Sequence, residues 1–104
     1  MQRLRKLLLP NSLEIISQGA FFDCINIYEI TIPKSVTLIA TSAFESCTAL
    51  ESVSIESTEI TLRHRAFANC IILYSVKIKG KVVEIGNGVF LDCLDPKLAT
   101  KQFK

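Results

Sequence analysis

The most reactive side chains in this chain are four cysteines and a single histidine, and the spacing of the cysteines is the more informative feature. A thiolate can act as a nucleophile or a metal ligand, and an imidazole beside it can act as a general base. Zinc sites use close pairs of cysteines, whereas these cysteines recur at intervals of 23 residues. The spacing therefore does not predict a metal site. The cysteines are Cys24, Cys47, Cys70 and Cys93.

The equal spacing favours reduced cysteines in the protein interior, because free cysteine packs as a small hydrophobe. Disulfides are the alternative, since four cysteines in a short chain can form two bridges. Neighbouring members of such a column would lie at a suitable Cα distance, but parallel side chains seldom give the torsion that the bond requires. We therefore expect reduced thiols, and the sequence leaves the redox compartment open.

His64 lies between Arg63 and Arg65, and a nucleophilic site there would need a Cys or Ser held against the imidazole and a carboxylate to orient it. The nearest cysteine, Cys70, belongs to the repeated column. We therefore interpret residues 63–65 as an exposed basic corner and predict no catalytic residue, no metal site and no cofactor. Three residues that precede cysteines are interpreted as turn-capping or solvent-facing groups: Asp23, Asn69 and Asp92.

The cysteines are part of a longer repeated unit, of which Ala43-Phe44-Glu45-Ser46-Cys47 is one copy. A phenylalanine three residues before each cysteine keeps the same 23-residue step, so the chain is a repeat array. This spacing predicts one short helical or 3₁₀ turn per coil, on the outer, convex side, with Phe and Cys facing the same way into the core. The phenylalanines are Phe21, Phe44, Phe67 and Phe90.

A second pattern, Leu50-x-x-Val53-x-Ile55, follows Cys47 and has equivalents in the other repeats. Val53 and Ile55 alternate with serines, as in a strand that buries one side. Strands one repeat apart must run in the same direction, so the pattern predicts a parallel sheet along one side of a solenoid. The strands are predicted near residues 6–9, 29–32, 52–55 and 75–78.

A return path follows each strand, and Pro33 is expected to end the pairing and turn the chain. Beyond the turn, inward apolar residues such as Val36 and Ile39 predict a second short extended segment. The third repeat has Glu59 in the place of Val36, so we expect a local register shift that brings Ile60 inward.

The composition is that of one ordered domain, with 104 residues, 49% hydrophobic and 21% charged. The net charge is +2 and no basic stripe follows Arg3, Arg5 and Lys6, so no nucleic-acid partner is predicted.

The apolar run Leu7-Leu8-Leu9 is too short for a signal peptide, and no apolar run approaches the ~20 residues of a membrane span. We expect a soluble segment, without membrane insertion, in which residues 1–104 form a single domain within a longer array. Its coils are predicted at about 4–26, 27–49, 50–72 and 73–95.

The segment from Ile30-Thr31-Ile32-Pro33 to Ala43-Phe44-x-x-Cys47-x-x-Leu50 resembles the BspA-type leucine-rich repeat, also described as the Treponema pallidum type. The resemblance covers residues 4 to about 94; Pro96 breaks it, so we expect the array to end or be truncated there. It implies an α/β-type, right-handed leucine-rich repeat solenoid of four coils that binds through its concave sheet. Members are mostly cell-surface or secreted proteins associated with adhesion, so the resemblance also implies that location and a protein or matrix ligand.

The outward side of the predicted sheet is the candidate binding surface, because its residues differ from coil to coil while the Phe and Cys columns do not. Tyr28 and Tyr74 fall in equivalent positions two coils apart. Tyrosine supplies contact area at low entropy cost, although it is also an ordinary strand residue. The candidate binding residues are Tyr28, Glu29, Thr31, Glu51, Ser52, Ser54, Tyr74, Ser75 and Lys77.

Two functional hypotheses from different classes follow. The first is a non-enzymatic interaction or adhesion module that binds a protein or matrix ligand through the concave sheet. The alternative is a structural spacer or stalk without a ligand of its own. In either case, the apolar open ends of the solenoid predict that the isolated segment self-associates or is weakly stable. An enzyme based on a thiol or a metal fits the sequence poorly.

Overall fold

The computed structural model describes residues 5–94, which fold into eight strands and no helix. Strands from successive coils pair into two parallel sheets, one from the odd-numbered strands and one from the even-numbered strands. The predictions that involve Arg3, Leu4 and Pro96 concern residues outside this range. The strands are β1 (Arg5–Leu8), β2 (Ile15–Ile16), β3 (Ile27–Ile32), β4 (Leu38–Ile39), β5 (Ser52–Ile55), β6 (Glu59–Leu62), β7 (Ser75–Ile78) and β8 (Lys81–Ile85).

The first sheet has the order β1-β3-β5-β7 and confirms the four predicted strands. Ile30 pairs with Val53, and Val53 pairs with Val76, so the sequence step of one repeat is also the step between strands. These three residues are buried, whereas their neighbours in the strands are half-buried or exposed. The predicted alternation of a buried and an outward side is therefore confirmed.

The second sheet, in the order β2-β4-β6-β8, is formed by the second extended segment. Its pairing is irregular between Ile60 and Thr61, where Ile60 aligns with Val82 and Thr61 with Glu84. Ile60 is fully buried, while Glu59 lies exposed. The predicted register shift is confirmed, because it removes a carboxylate from the core and replaces it with an apolar side chain.

The chain between the sheets forms turns at residues 18–23, 41–46, 64–69 and 87–92, which we call the turn side. The prediction of a helical or 3₁₀ turn there is not confirmed within residues 5–94. Two backbone positions in every turn have a positive φ, which no right-handed helix accommodates. They are Gly19, Ser42, Arg65 and Gly88 at the first position, and Asp23, Ser46, Asn69 and Asp92 at the second.

On the turn side, hydrogen bonds between coils alternate with hydrogen bonds within each coil. The N–H of Phe44 donates to the carbonyl of Ala66 at 2.7 Å, and the N–H of Ser46 donates to Ala68 at 2.8 Å. The N–H of Glu45, which lies between them, instead donates within its own coil to Ser42 at 3.2 Å. The left-handed residues turn alternate amides toward the next coil, so the turn side holds the coils together as the two sheets do.

The core is organised around the Phe stack, which consists of Phe21, Phe44, Phe67 and Phe90. Successive ring centroids lie 5.1, 5.1 and 5.8 Å apart, with interplanar angles of 9°, 2° and 12°. These centroid distances are close to the ~4.8 Å spacing of hydrogen-bonded strands, so each ring packs directly on the ring of the next coil. The predicted inward phenylalanine column is confirmed.

Candidate binding surface

The candidate binding surface is the outward side of the first sheet, where three columns of side chains run across the coils. Strand pairing defines two columns, and backbone hydrogen bonds define the third. The N–H of Glu51 donates to the carbonyl of Tyr28 at 2.8 Å, and the N–H of Tyr74 donates to Glu51 at 3.1 Å. The other two columns are Glu29, Ser52 and Ser75, and Thr31, Ser54 and Lys77.

All nine predicted binding residues lie in these three columns, and none of them is buried. The middle of the surface is made of small hydroxyl side chains, namely Ser52, Ser54 and Ser75, each half-buried. Tyr74, in the column before Ser75, is 56% exposed. The surface is therefore a shallow floor of hydrogen-bonding groups next to larger aromatic side chains.

The charges on this surface are unevenly paired. Lys6 Nζ lies 3.5 Å from Glu29 Oε2, so the carboxylate in the second coil already has a cation beside it. By contrast, none of the ion pairs found within residues 5–94 involves Glu51 or Lys77. One anion and one cation on the sheet are thus available to an incoming partner.

An apolar corner borders the Tyr28–Tyr74 column and was not predicted from the sequence. It consists of Ile25, Ile71, Ile72 and Leu94, whose exposed fractions are 57%, 52%, 37% and 57%. The sequence does hold a signal for it, because Ile25, Ile71 and Leu94 each follow a cysteine directly. A large apolar residue at a position that the core does not need indicates a contact surface.

On the turn side, the structure places Arg63 and His64 in exposed positions. Arg63 Nη1 lies 3.6 Å from Glu84 Oε1. His64 Nδ1 accepts a hydrogen bond of 2.8 Å from the backbone N–H of Asn87. These contacts join the third coil to the fourth, so the basic corner has a structural role between coils.

Arg65 makes the best-formed ion pair of the described residues, with Glu45 of the preceding coil. Its Nη2 and Nε donate to Glu45 Oε2 at 2.8 and 3.2 Å, while Ser42 Oγ donates to Oε1 at 2.6 Å. The hydrogen bonds from Arg65, followed by that from Ser42, lower the pKa of Glu45. The three side chains clamp the second and third turns together.

The four cysteines are free thiols, and Cys47, Cys70 and Cys93 donate to backbone carbonyls of the preceding coil. Cys47 Sγ donates to the carbonyl of Phe21, and Cys70 Sγ to that of Phe44, both at 3.2 Å. Burial raises the pKa of the Cys93 thiol to about 11, and the neighbouring Cys47 thiol together with burial raises the pKa of Cys70. Thiolate chemistry at neutral pH is therefore disfavoured at Cys70 and Cys93.

No group of three or more His, Cys, Asp and Glu side chains within the described part of the chain is arranged to hold a metal ion. Nor do the described residues form an apolar helix long enough to cross a membrane.

Coils of about 23 residues, two parallel sheets and a continuous interior column define a repeat solenoid of the leucine-rich repeat class. The family model of the BspA-type leucine-rich repeat region, described as having six copies, matches residues 1–100. The chain therefore belongs to the BspA-type leucine-rich repeat family. No curated protein and no solved structure matches the chain.

Membership in this family indicates a protein-interaction repeat module. Leucine-rich repeats are generally non-enzymatic, and those of the BspA type are typically surface-associated. The family does not specify a ligand, so the candidate surface has to be argued from its own residues.

Proposed function

We propose that this chain is a non-enzymatic adhesion module that binds a protein or extracellular matrix ligand through the outward side of the first sheet. The observation that supports the proposal is the contrast between the two sides of that sheet. The inward positions are uniformly apolar, whereas the outward columns combine tyrosine, glutamate, serine, threonine and lysine, and no column keeps one residue type through all its coils. Packing between coils does not require this variety, and recognition of a ligand does.

The surface suits an extended segment or a loop of a partner protein. Tyr28 and Tyr74 supply aromatic contact area, and aromatic residues dominate the binding energy of many interfaces. Ser52 and Ser54 lie on β5, a middle strand of the first sheet, and the hydroxyl group of each can donate a hydrogen bond to a partner backbone or accept one from it. Tyrosine anchors beside a polar floor would therefore give both affinity and orientation.

A location at the cell surface or outside the cell accords with this proposal. BspA-type repeats are typically surface-associated, and adhesion requires exposure to the matrix or to another cell. The free cysteines are compatible with such a location because Cys47 and Cys70 are buried and their side chains are hydrogen-bonded.

The competing function is a spacer or stalk, and one observation favours it. Both sheets and the turn side carry hydrogen bonds from each coil to the next, as between Phe44 and Ala66 on the turn side. Such continuous coupling gives a stiff rod, which a spacer needs. A spacer would have no selective ligand, so a binding measurement separates the two functions.

A library of random linear peptides displayed on phage provides that measurement while the natural ligand is unidentified. The wild-type chain, the double variant Tyr28→Ala/Tyr74→Ala and the turn-side variant Arg63→Ala/Arg65→Ala are immobilised in parallel, after the unfolding midpoint of each has been recorded. We expect wild type and the turn-side variant to enrich the same peptides. The double tyrosine variant should bind them at least ~30-fold more weakly, in line with the loss of a hot spot.

Absence of enrichment on wild type would contradict the binding function and favour the spacer. Equal enrichment on the two variants would show that Tyr28 and Tyr74 are not the anchors and would contradict the assignment of the site. Enrichment that is lost only in the turn-side variant would move the site away from the first sheet. The recorded midpoints ensure that a loss of binding is not a loss of folding.

A further inference from the structure

The column Tyr28–Glu51–Tyr74 places a carboxylate between two aromatic side chains on consecutive coils. The backbone hydrogen bonds of 2.8 and 3.1 Å fix the three residues as direct neighbours across the sheet. With ~4.8 Å between adjacent strands, the backbones of the two tyrosines lie about 10 Å apart, and Glu51 lies midway. A side chain that enters this gap meets aromatic groups on two sides and an acid between them.

Glu51 differs from the other half-buried glutamates of residues 5–94. Each of those has a cation within ion-pair distance: Lys6 for Glu29, Arg65 for Glu45 and Lys79 for Glu56. Glu51 is half-buried as well, yet no ion pair within the described range includes it. The fold thus places a partly desolvated carboxylate on an open surface and leaves it without a cation.

We propose that this column recognises one basic side chain, foremost arginine, on an extended segment of the partner; the inference rests on the proposed binding function of the same sheet. A cation over the face of a tyrosine ring is attracted by the negative face of the π-system. A guanidinium group adds stacking and paired hydrogen bonds to a carboxylate. Tyr28, Glu51 and Tyr74 supply both kinds of contact at one point.

The residues around the column further restrict the kind of peptide segment that can bind there. Lys77 lies on the same surface, three residues beyond Tyr74, without an ion pair in the described chain, so it disfavours a second cation there. On the opposite side of the column, Ile71 and Ile72 are exposed and offer apolar contact. The segment that fits carries a single basic residue with an apolar neighbour, rather than a polybasic run.

Two fluorescent peptides test the site. Both have the same glycine- and serine-rich scaffold with one leucine. One carries a central arginine, and the other carries citrulline, the neutral analogue of arginine, at the same position. Binding to the 104-residue chain is followed by fluorescence anisotropy at two salt concentrations. We expect the arginine peptide to bind about 3- to 30-fold more tightly than the citrulline peptide, with a difference that shrinks as salt rises.

Glu51→Gln tests the carboxylate without a change of shape, and Glu59→Gln is the matched control. Both substitutions remove one negative charge from the third coil, but Glu59 lies on the second sheet. Glu51→Gln should abolish the preference for arginine over citrulline, and Glu59→Gln should leave it intact. The unfolding midpoints of both variants should remain near that of wild type.

Equal affinity for the two peptides, failure of the arginine peptide to bind wild type, or an unchanged arginine preference in Glu51→Gln would each overturn the cation site. Those results would not decide whether the sheet binds a ligand at all, because the phage selection tests that function separately. Selected peptides that need Tyr28 and Tyr74 but contain no basic residue would support the binding function and refute the cation site.

Discussion

The interior of the turn side and the outward side of the first sheet are repeated in the same coils, yet they follow different rules. On the turn side, Phe44 and Phe67 are fully buried, and each ring contacts a ring on both neighbouring coils. On the sheet, Tyr74 is 56% exposed and Glu51 separates it from Tyr28. Side chains that must fill the space between coils are uniform, whereas side chains that face solvent are free to differ.

The difference teaches where stability and specificity lie in this fold. A ring that stacks at 5.1 Å on both neighbours leaves no room for a residue of another shape. The outward columns have the same spacing between coils but no cover, so a change there alters the surface and not the packing. Comparing variants of the two regions tests this division.

The largest effect is expected from Phe44→Ala. The substitution removes a fully buried ring and leaves a cavity between two coils, which should lower the free energy of unfolding by about 3 to 5 kcal/mol. Denaturant unfolding followed by circular dichroism measures it. A loss below about 1 kcal/mol would show that the Phe stack is not the main source of stability.

A smaller loss is expected from Phe21→Ala. Phe21 stacks on Phe44 at 5.1 Å but is only partly buried, so less apolar surface returns to water when it is truncated. We expect a loss of roughly 2 kcal/mol, in line with partial burial of an aromatic side chain. An equal or larger loss than in Phe44→Ala would contradict the importance of contact on both sides of the ring.

A pH-dependent effect is expected at the clamp of Glu45 with Arg65. Hydrogen bonds from Arg65 and Ser42 lower the pKa of Glu45 below its ordinary value of 4.5. Its contribution to stability is therefore complete above that value and is lost as the pH falls through the lower pKa of the folded state. Urea titrations between pH 7 and pH 2 should show a steeper acid loss for wild type than for Glu45→Gln, and parallel curves would contradict the clamp.

The smallest effect is expected from Ser52→Ala on the outward side of β5. Ser52 is half-buried, and its neighbours in the column are Glu29 and Ser75, so truncation removes one hydroxyl group and leaves no cavity. The free energy of unfolding should change by less than about 0.5 kcal/mol. A midpoint shift as large as that of Phe44→Ala would erase the contrast between the two regions.

Much of the fold could be predicted because each coil needs apolar side chains at the same inward positions. Ile30 and Val53 fall one repeat apart in the sequence, so the strand register follows from the period. Even the irregularity at Ile60 could be predicted, since a carboxylate at Glu59 cannot take the core position that Val36 fills in the previous coil.

The helical or 3₁₀ turn predicted for the turn side is not confirmed, because the Phe and Cys spacing that fits a helical turn also fits a turn with left-handed residues. A better signal was present: Gly19 and Gly88, with Asp23 and Asp92 four residues later, mark positions that favour a positive φ. Arg65 occupies the same position in the third coil without that preference, so the signal is incomplete there. Hydrogen bonds from Arg65 to Asn87 and Glu45 of the neighbouring coils hold Arg65 in this conformation.

The strand pattern was enough to assign the nine outward residues to one surface. It was not enough to predict which of the charged residues form ion pairs. Whether Glu29 has a cation and Glu51 has none depends on which side chains of adjacent coils reach each other. The apolar corner was missed because Ile71 and Ile72 stand in a loop, where apolar residues carry no periodic signal. Those details require the packing of coils in three dimensions.

The central claim is that ligands bind on the outward side of the first sheet, and amide chemical shifts measure this most directly. Isotope-labelled wild type is titrated with a peptide from the phage selection. The account predicts shift changes at Tyr28, Thr31 and Ser54, with none on the second sheet at Thr61 or on the turn side at His64. Changes centred on Thr61 or His64, with the first sheet unaffected, would contradict it.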